Sequence, residues 1–217
     1  MVWTTLVGCA ERKEELIPVR GSGFMSEPGP LSELDHSVVE CQLGRPARGA
    51  VSVAHRCPCG LPDVVRTMPR LADGTPFPTT FYLTCPKVSA ALSRLESAGL
   101  MAEMTQRLGD DSELAQRYAA AHVDYLTQRN QLGEVAEIDQ VSAGGMPTRV
   151  KCLHALVAHA LARGPGVNPL GDEALGCLPT WWAAGPCVTT RPCVATTETE
   201  AEAHSEEEST HAADSRN

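Results

Sequence analysis

The stretch Thr79-Thr80-Phe81-Tyr82-Leu83-Thr84-Cys85-Pro86-Lys87-Val88-Ser89-Ala90-Ala91-Leu92 changes its period midway. Its first half is β-branched and aromatic, the composition of a short strand. From Pro86 onward Val88, Ala91, Leu92 and Leu95 recur at helical spacing. Pro86 suits the first helical position, where its missing N–H costs nothing, and Gly99 suits the position just past the helix end. Everything before this junction reads as strand and turn, and everything after it as helix.

Upstream, alternation in Ala50-Val51-Ser52-Val53-Ala54-His55 predicts a first strand, and Cys57-Pro58-Cys59-Gly60-Leu61-Pro62 a turn. Val64-Val65-Arg66 is a second strand, closed by Pro69. A first amphipathic turn is expected around Leu31, Leu34 and Val38. Downstream, Leu100, Met101, Met104 and Leu108 continue in a short second helix. Asp110 and Glu113 have capping-box spacing and introduce a third. That helix buries Leu114, Tyr118, Ala121, Tyr125 and Leu126, with Arg117, Asp124 and Arg129 outward. Residues 130–147 read as loop. A last main helix is expected from Thr148 to Arg163 on the stripe Val150, Leu153, Val157 and Leu161, followed by a turn-rich loop over 166–172.

Strands first and helices afterwards make the fold class α+β: a small sheet of about three short N-terminal strands packed against about four helices. Residues 1–37 are expected to be a flexible or mis-assigned N-terminal extension, since Met25-Ser-Glu-Pro reads as an alternative start. Residues 38–187 form a single domain and 188–217 a disordered acidic tail. Within 217 residues, 42% hydrophobic content supports a core, and 4% aromatic content makes that core aliphatic. The net charge of −9 is concentrated at the C-terminus, where residues 196–217 carry −6. The remaining −3 leaves room for an anion site. There is no basic stripe interleaved with aromatics, which disfavours nucleic acid as a partner.

No run is long and apolar enough to span a bilayer, and the opening residues lack the basic leader of a signal peptide. These features predict a cytoplasmic protein with reduced cysteines. Nine cysteines without a compact spacing framework also disfavour a disulfide scaffold. Three of them, Cys57, Cys85 and Cys152, fall at predicted strand ends or helix starts, where free backbone N–H groups stabilise a thiolate. With His154 they supply the soft donors of a tetrahedral zinc site or of an iron–sulfur cluster. One metal takes both Cys152 and His154 only if the helix starts later than Thr148, because two residues of helix place them about 200° apart. Cys85, ahead of Pro86, is also a candidate reactive thiol, its pKa lowered by the helix terminus. Cys187 and Cys193 rank last as ligands. Arg66, Arg149 and Lys151 flank the same segments and are candidates to bind a small anionic ligand. Trp181-Trp182 reads as a cap on the core.

Several longer motifs carry a family resemblance. They are Arg56-Cys57-Pro58, Gly60-Leu61-Pro62, Val64-Val65-Arg66-Thr67, Asp73-Gly74-Thr75-Pro76-Phe77-Pro78-Thr79 and Leu83-Thr84-Cys85-Pro86, followed by Ser93-Arg94-Leu95-Glu96, Arg149-Val150-Lys151-Cys152-Leu153-His154 and Gly164-Pro165-Gly166-Val167-Asn168-Pro169. Together, from about Cys41 to Cys187, the chain resembles a bacterial family catalogued as domain of unknown function 501. The resemblance implies cysteines at positions 57, 85 and 152, and products of the family are sometimes labelled with septum formation. Two functions follow as expectations. One is a cysteine-lined zinc or iron–sulfur site beside an anion-binding arginine cluster. The other is a non-catalytic interaction protein, partnered in cell division or envelope assembly, whose cysteines are structural.

Overall fold

The computed structural model describes residues 30–188. The expectations for residues 1–29 and for the acidic tail beyond Val188 lie outside the described residues, as do Cys9 and Cys193. Three strands, β1 (Ala50–Arg56), β2 (Pro62–Thr67) and β3 (Phe81–Leu83), form an antiparallel sheet in the order β1-β2-β3. Val53 pairs with Val65, and Val64 with Leu83. Central β2 is buried on both faces. Successive side chains on a strand point to opposite faces, so Val64 joins the main core with Phe81 and Leu83, while Val65 joins a smaller cluster with Val39 and Ala47. The α+β class holds, with six α-helices among the described residues.

The helices are α1 (Glu33–Leu43), α2 (Pro86–Ser97), α3 (Leu100–Asp110), α4 (Ser112–Asn130), α5 (Leu153–Arg163) and α6 (Pro169–Gly176). The turn expected around Leu31, Leu34 and Val38 is a full helix, capped by Ser32 Oγ accepting from Asp35 N at 3.1 Å. It turns Val38 and Val39 inward and leaves Leu34 exposed. Helix α2 starts at Pro86 as expected, and Gly99 takes the left-handed conformation that releases the chain into α3. The cap of α4 is Asp111 rather than Asp110, because α3 continues through Asp110 and Asp111 turns to extended backbone, accepting from Glu113 N and Leu114 N.

Helix α5 is the axis of the main core. Leu153, Ala155, Leu156, Val157, Ala158, His159 and Ala160 are all buried, so most of its circumference is covered rather than one stripe. Its partners include β3, α2 and α6. His159 is fully buried, stacked on Phe81 and edge-on to Tyr125. Asn168 Nδ2 donates to its Nδ1 (3.2 Å), which leaves Nε2–H to donate to Asp124 Oδ2 at 2.9 Å. Asp124 also accepts from Arg163. The turn-rich loop expected over 166–172 is replaced from Pro169 by α6, which Asn168 caps by accepting from Gly171 N. At Gly171 the helices touch backbone to backbone: an added Cβ would meet the Leu156 carbonyl oxygen and Ala160 Cβ, the latter at 2.9 Å. Trp181 is buried, edge-on to Trp182, and caps the core as expected.

Two other expectations are corrected. Arg129, read as outward, is fully buried. Its guanidinium donates to the carbonyls of Ile138 (2.7 Å), Val141 (2.6 Å) and Asp139 (2.8 Å), and to Asn130 Oδ1. It therefore organises the loop after α4. Cys41 and Cys177 are each held in a disulfide, against the expectation of reduced cysteines.

Candidate functional site

Residues 148–152, expected to be helical, are not. Their polar backbone groups are claimed by neighbours: Lys151 N donates to Gly144 O (2.7 Å), Arg149 N to Gly145 O (3.2 Å), and Val150 N to Thr105 Oγ1 on α3 (2.9 Å). Helix α5 consequently begins at Leu153, with Cys152 as an extended N-cap. This late start meets the condition for Cys152 and His154 to meet. The Cys152 sulfur lies 3.8 Å from His154 Nδ1.

A third group completes the cluster from the last turn of α2. Glu96 Oε1 accepts from Leu153 N at 2.7 Å and lies 3.1 Å from His154 Nδ1. Sulfur, imidazole nitrogen and carboxylate oxygen all fall within 4.8 Å of one another. His154 Nε2 lies 3.2 Å from the carbonyl of Ser89. A carbonyl only accepts, so Nε2 carries a proton.

The electrostatics follow from these contacts. His154 is raised to about 9, chiefly by its hydrogen bond with Cys152 and, against burial, by Glu96. Burial pushes the Cys152 thiol up, yet the hydrogen bonds from His154 and the Ala155 backbone N–H hold it below the ordinary thiol range. The contacts thus favour the charged forms of Cys152 and His154 over their neutral ones. An open cleft of about 600 Å³ adjoins this group, lined by residues including Glu96, Thr105, Gln106, Arg149 and Val150. Arg149 and Lys151 are exposed beside it in sequence.

The other sequence candidates lie elsewhere. Cys57 and Cys85 are not part of the Glu96–Cys152–His154 group; both are buried in the main core. Burial and the neighbouring Cys59 push the Cys57 thiol up to about 12. Cys85 does cap α2, but its pKa is raised rather than lowered, because it shares a hydrogen bond with Cys187 and is desolvated. Arg66 donates to the carbonyl of Gln128 at 2.8 Å, at the end of α4. Burial and Arg163 lower its pKa.

Sequence reading missed Glu96 as a site residue. It sits among charged neighbours at a helix end, and its partners are far away in the chain. The Ser93-Arg94-Leu95-Glu96 motif was the one signal that included it.

The profile of a family described as protein of unknown function (DUF501) matches residues 53–176. That span covers more than half of the chain, and the chain belongs to this family. It contains Cys57, Cys85, Glu96, Cys152 and His154 and excludes Cys187. No curated protein and no solved structure matches the chain. Among the described residues, no helix is long and apolar enough to cross a membrane.

Proposed function

We propose that this DUF501 protein binds a single zinc ion through Cys152 Sγ, His154 Nδ1 and a Glu96 carboxylate oxygen, with the fourth position open to the adjoining cleft. The observation that carries this reading is the convergence of three donors of different type within 4.8 Å. Zn–S of about 2.3 Å and Zn–N or Zn–O of about 2.0–2.2 Å imply ligand-to-ligand separations of about 3.3–3.6 Å in a tetrahedron. The separations of 3.8 Å for sulfur to nitrogen and 3.1 Å for nitrogen to oxygen bracket those edges. The hydrogen bond from His154 Nε2–H to the Ser89 carbonyl is the outer contact a zinc-bound histidine makes, fixing the tautomer that offers Nδ1.

The donor set favours zinc over an iron–sulfur cluster. A cluster is held by two to four thiolates, and this group offers one. Three protein ligands with an open position suit a Lewis acid that polarises a bound carbonyl or phosphoryl oxygen. Arg149, at the cleft, and Lys151, one residue before Cys152, would orient an anionic ligand there. Their role replaces that expected of the full Arg66, Arg149 and Lys151 set, since Arg66 is engaged by α4. For Cys57, burial in the main core supports a packing role.

Elemental analysis of protein purified without chelators tests the reading. About one zinc per chain is expected in the wild type. It is lost in Cys152→Ser and His154→Ala and kept in Cys57→Ala. Wild-type protein that folds without zinc and takes none up, or Cys152→Ser that retains it, would overturn the proposal.

A further inference from the structure

The smaller core, on the sheet face that α1 packs against, is incompletely filled. Val39, Ala47 and Val65 are its buried residues, and Leu43, Ala50 and Tyr82 are only half-buried around them. Beside them, where α1 ends at Gly44, lies a cavity of about 260 Å³. Leu71 and Phe77, from the stretch between β2 and β3, line its other side. Met68 N donates to the Gly49 carbonyl at 2.8 Å, which ties the two sides together, and Phe77 N to the Pro69 carbonyl at 2.8 Å. The Phe77 and Tyr82 rings stack with centroids 6.4 Å apart. Hydrogen bonds and ring packing within the chain thus hold the cavity in shape, as in most small-molecule sites.

The side chains able to bind a polar group here are donors, and they carry positive charge. Arg45 Nη2 donates to the Tyr82 hydroxyl at 2.9 Å, and the guanidinium carbon lies 5.8 Å from the Tyr82 ring centroid. That contact orients the arginine in advance. Having accepted there, the Tyr82 hydroxyl keeps its own proton, for which no acceptor occurs among the described residues. Arg48 also lines the cavity. Asp73 senses the Arg48 charge, but its carboxylate accepts from Thr75 N at 2.9 Å and stands outside the lining. Thr67, the other polar lining residue, gives its hydroxyl proton to the Thr79 carbonyl. No acidic side chain among the described residues lines the cavity.

We propose that this cavity binds a small aromatic carboxylate. Its ring lies among Val39, Val65 and Phe77, and its carboxylate meets the Arg45 guanidinium and the Tyr82 hydroxyl, with Arg48 adding positive charge. An apolar chamber with two guanidinium groups complements a molecule that has one anionic end. A wholly polar anion would leave the apolar walls without a partner, and a neutral hydrocarbon would leave the arginines without one. Guanidinium–carboxylate hydrogen bonds are charge-assisted and can be two-pronged. The Phe77 and Tyr82 rings favour an aromatic body over an aliphatic one. The volume falls just below the roughly 300–1,000 Å³ of drug-sized sites, so the ligand is smaller than those. None of Glu96, Cys152 or His154 takes part, and the proposal is independent of the zinc reading.

The test follows methyl NMR signals of the full-length protein, with phenylacetate as the probe and phenylacetamide as its neutral counterpart. Phenylacetate should shift the Val39 and Val65 signals saturably, and phenylacetamide should bind about tenfold more weakly. Arg45→Gln, a change at an exposed position, should weaken phenylacetate about tenfold and erase its advantage over the amide. Ala50→Leu, which fills the cavity from β1, should weaken both probes, with circular dichroism confirming the fold. Three results would each overturn the proposal. Phenylacetate could leave Val39 and Val65 unmoved up to about 10 mM. It could shift Val150, beside the zinc group, in their place. It could bind Arg45→Gln as tightly as the wild type.

Discussion

Replacing Arg129 with Met should be among the most damaging single changes in the chain, although its hydrogen bonds reach none of the cysteines. Its guanidinium holds three backbone carbonyls of one loop, Ile138, Asp139 and Val141, and joins Asn130 Oδ1 as well. A methionine keeps the buried stem but withdraws every donor. A buried acceptor left unpaired costs about 1–3 kcal/mol. Some of these carbonyls sit in partly buried settings and would regain water when the loop relaxes. Counting about half of the full penalty, the expected loss is roughly 3 kcal/mol. Burial lowers the Arg129 pKa, so its desolvation already costs the native state something, and the figure is a net one. Urea unfolding should show a lower midpoint with an unchanged slope. Arg129→Lys should recover little, because one ammonium cannot span three carbonyls in the planar fork arrangement. A loss below about 1 kcal/mol for Arg129→Met would refute the view that this side chain organises the loop.

Two further perturbations test the core around α5. Asp124 is held at about 2 because hydrogen bonds from His159 and Arg163 outweigh the burial that would raise it. A depressed carboxyl stabilises above its unfolded value of 3.8 and loses that contribution as pH falls through about 2. After allowance for partial exposure this is worth about 1–2 kcal/mol, and Asp124→Asn should flatten the stability profile between about pH 4 and 2. Gly171→Ala should force α5 and α6 apart at Leu156 and Ala160. The expected cost is about 1–3 kcal/mol by overpacking, read as a lower melting temperature; an unchanged melting temperature would contradict the close approach.

The order of strands and helices was legible because each signal was local. Thr79 to Leu92 switches period within one stretch, and Gly99 ends a helix where a glycine is needed. What escaped was long-range. Nothing near Arg129 in the sequence says that it will meet the carbonyls of a loop not yet formed. The start of α5 was placed too early because Val150 continues the apolar stripe, whereas hydrogen bonds to Gly144 and Thr105 hold residues 148–152 out of the helix. Helix α6 was read as loop although Asn168-Pro169 is a cap followed by a first-position proline, because the two glycines before it and Gly171 within it suggested turns. In the candidate site, Cys152 and His154 were legible as chemistry and their meeting was legible as a condition. Glu96 was not, since a carboxylate at an exposed helix end is normally just solvated.

Glu96 holds two roles in tension, and they can be separated. Its Oε1 caps α5 by accepting from Leu153 N, in place of the side-chain cap that Cys152 does not provide. The same carboxylate is the third donor proposed for zinc. Glu96→Gln keeps an oxygen able to accept from Leu153 N but removes the charge and most of the affinity for a cation. Glu96→Ala removes both. If the residue is only a cap, Glu96→Gln should bind zinc as the wild type does. If it is also a ligand, zinc-free Glu96→Gln should melt close to wild type, while Glu96→Ala loses about 1 kcal/mol. Zinc affinity of Glu96→Gln should nonetheless fall at least about tenfold, the scale seen even for groups that only support a ligand. Competition with a chromogenic chelator measures that fall directly. Equal zinc affinity in the wild type and Glu96→Gln would remove Glu96 from the ligand set and leave it as the cap that lets α5 begin at Leu153.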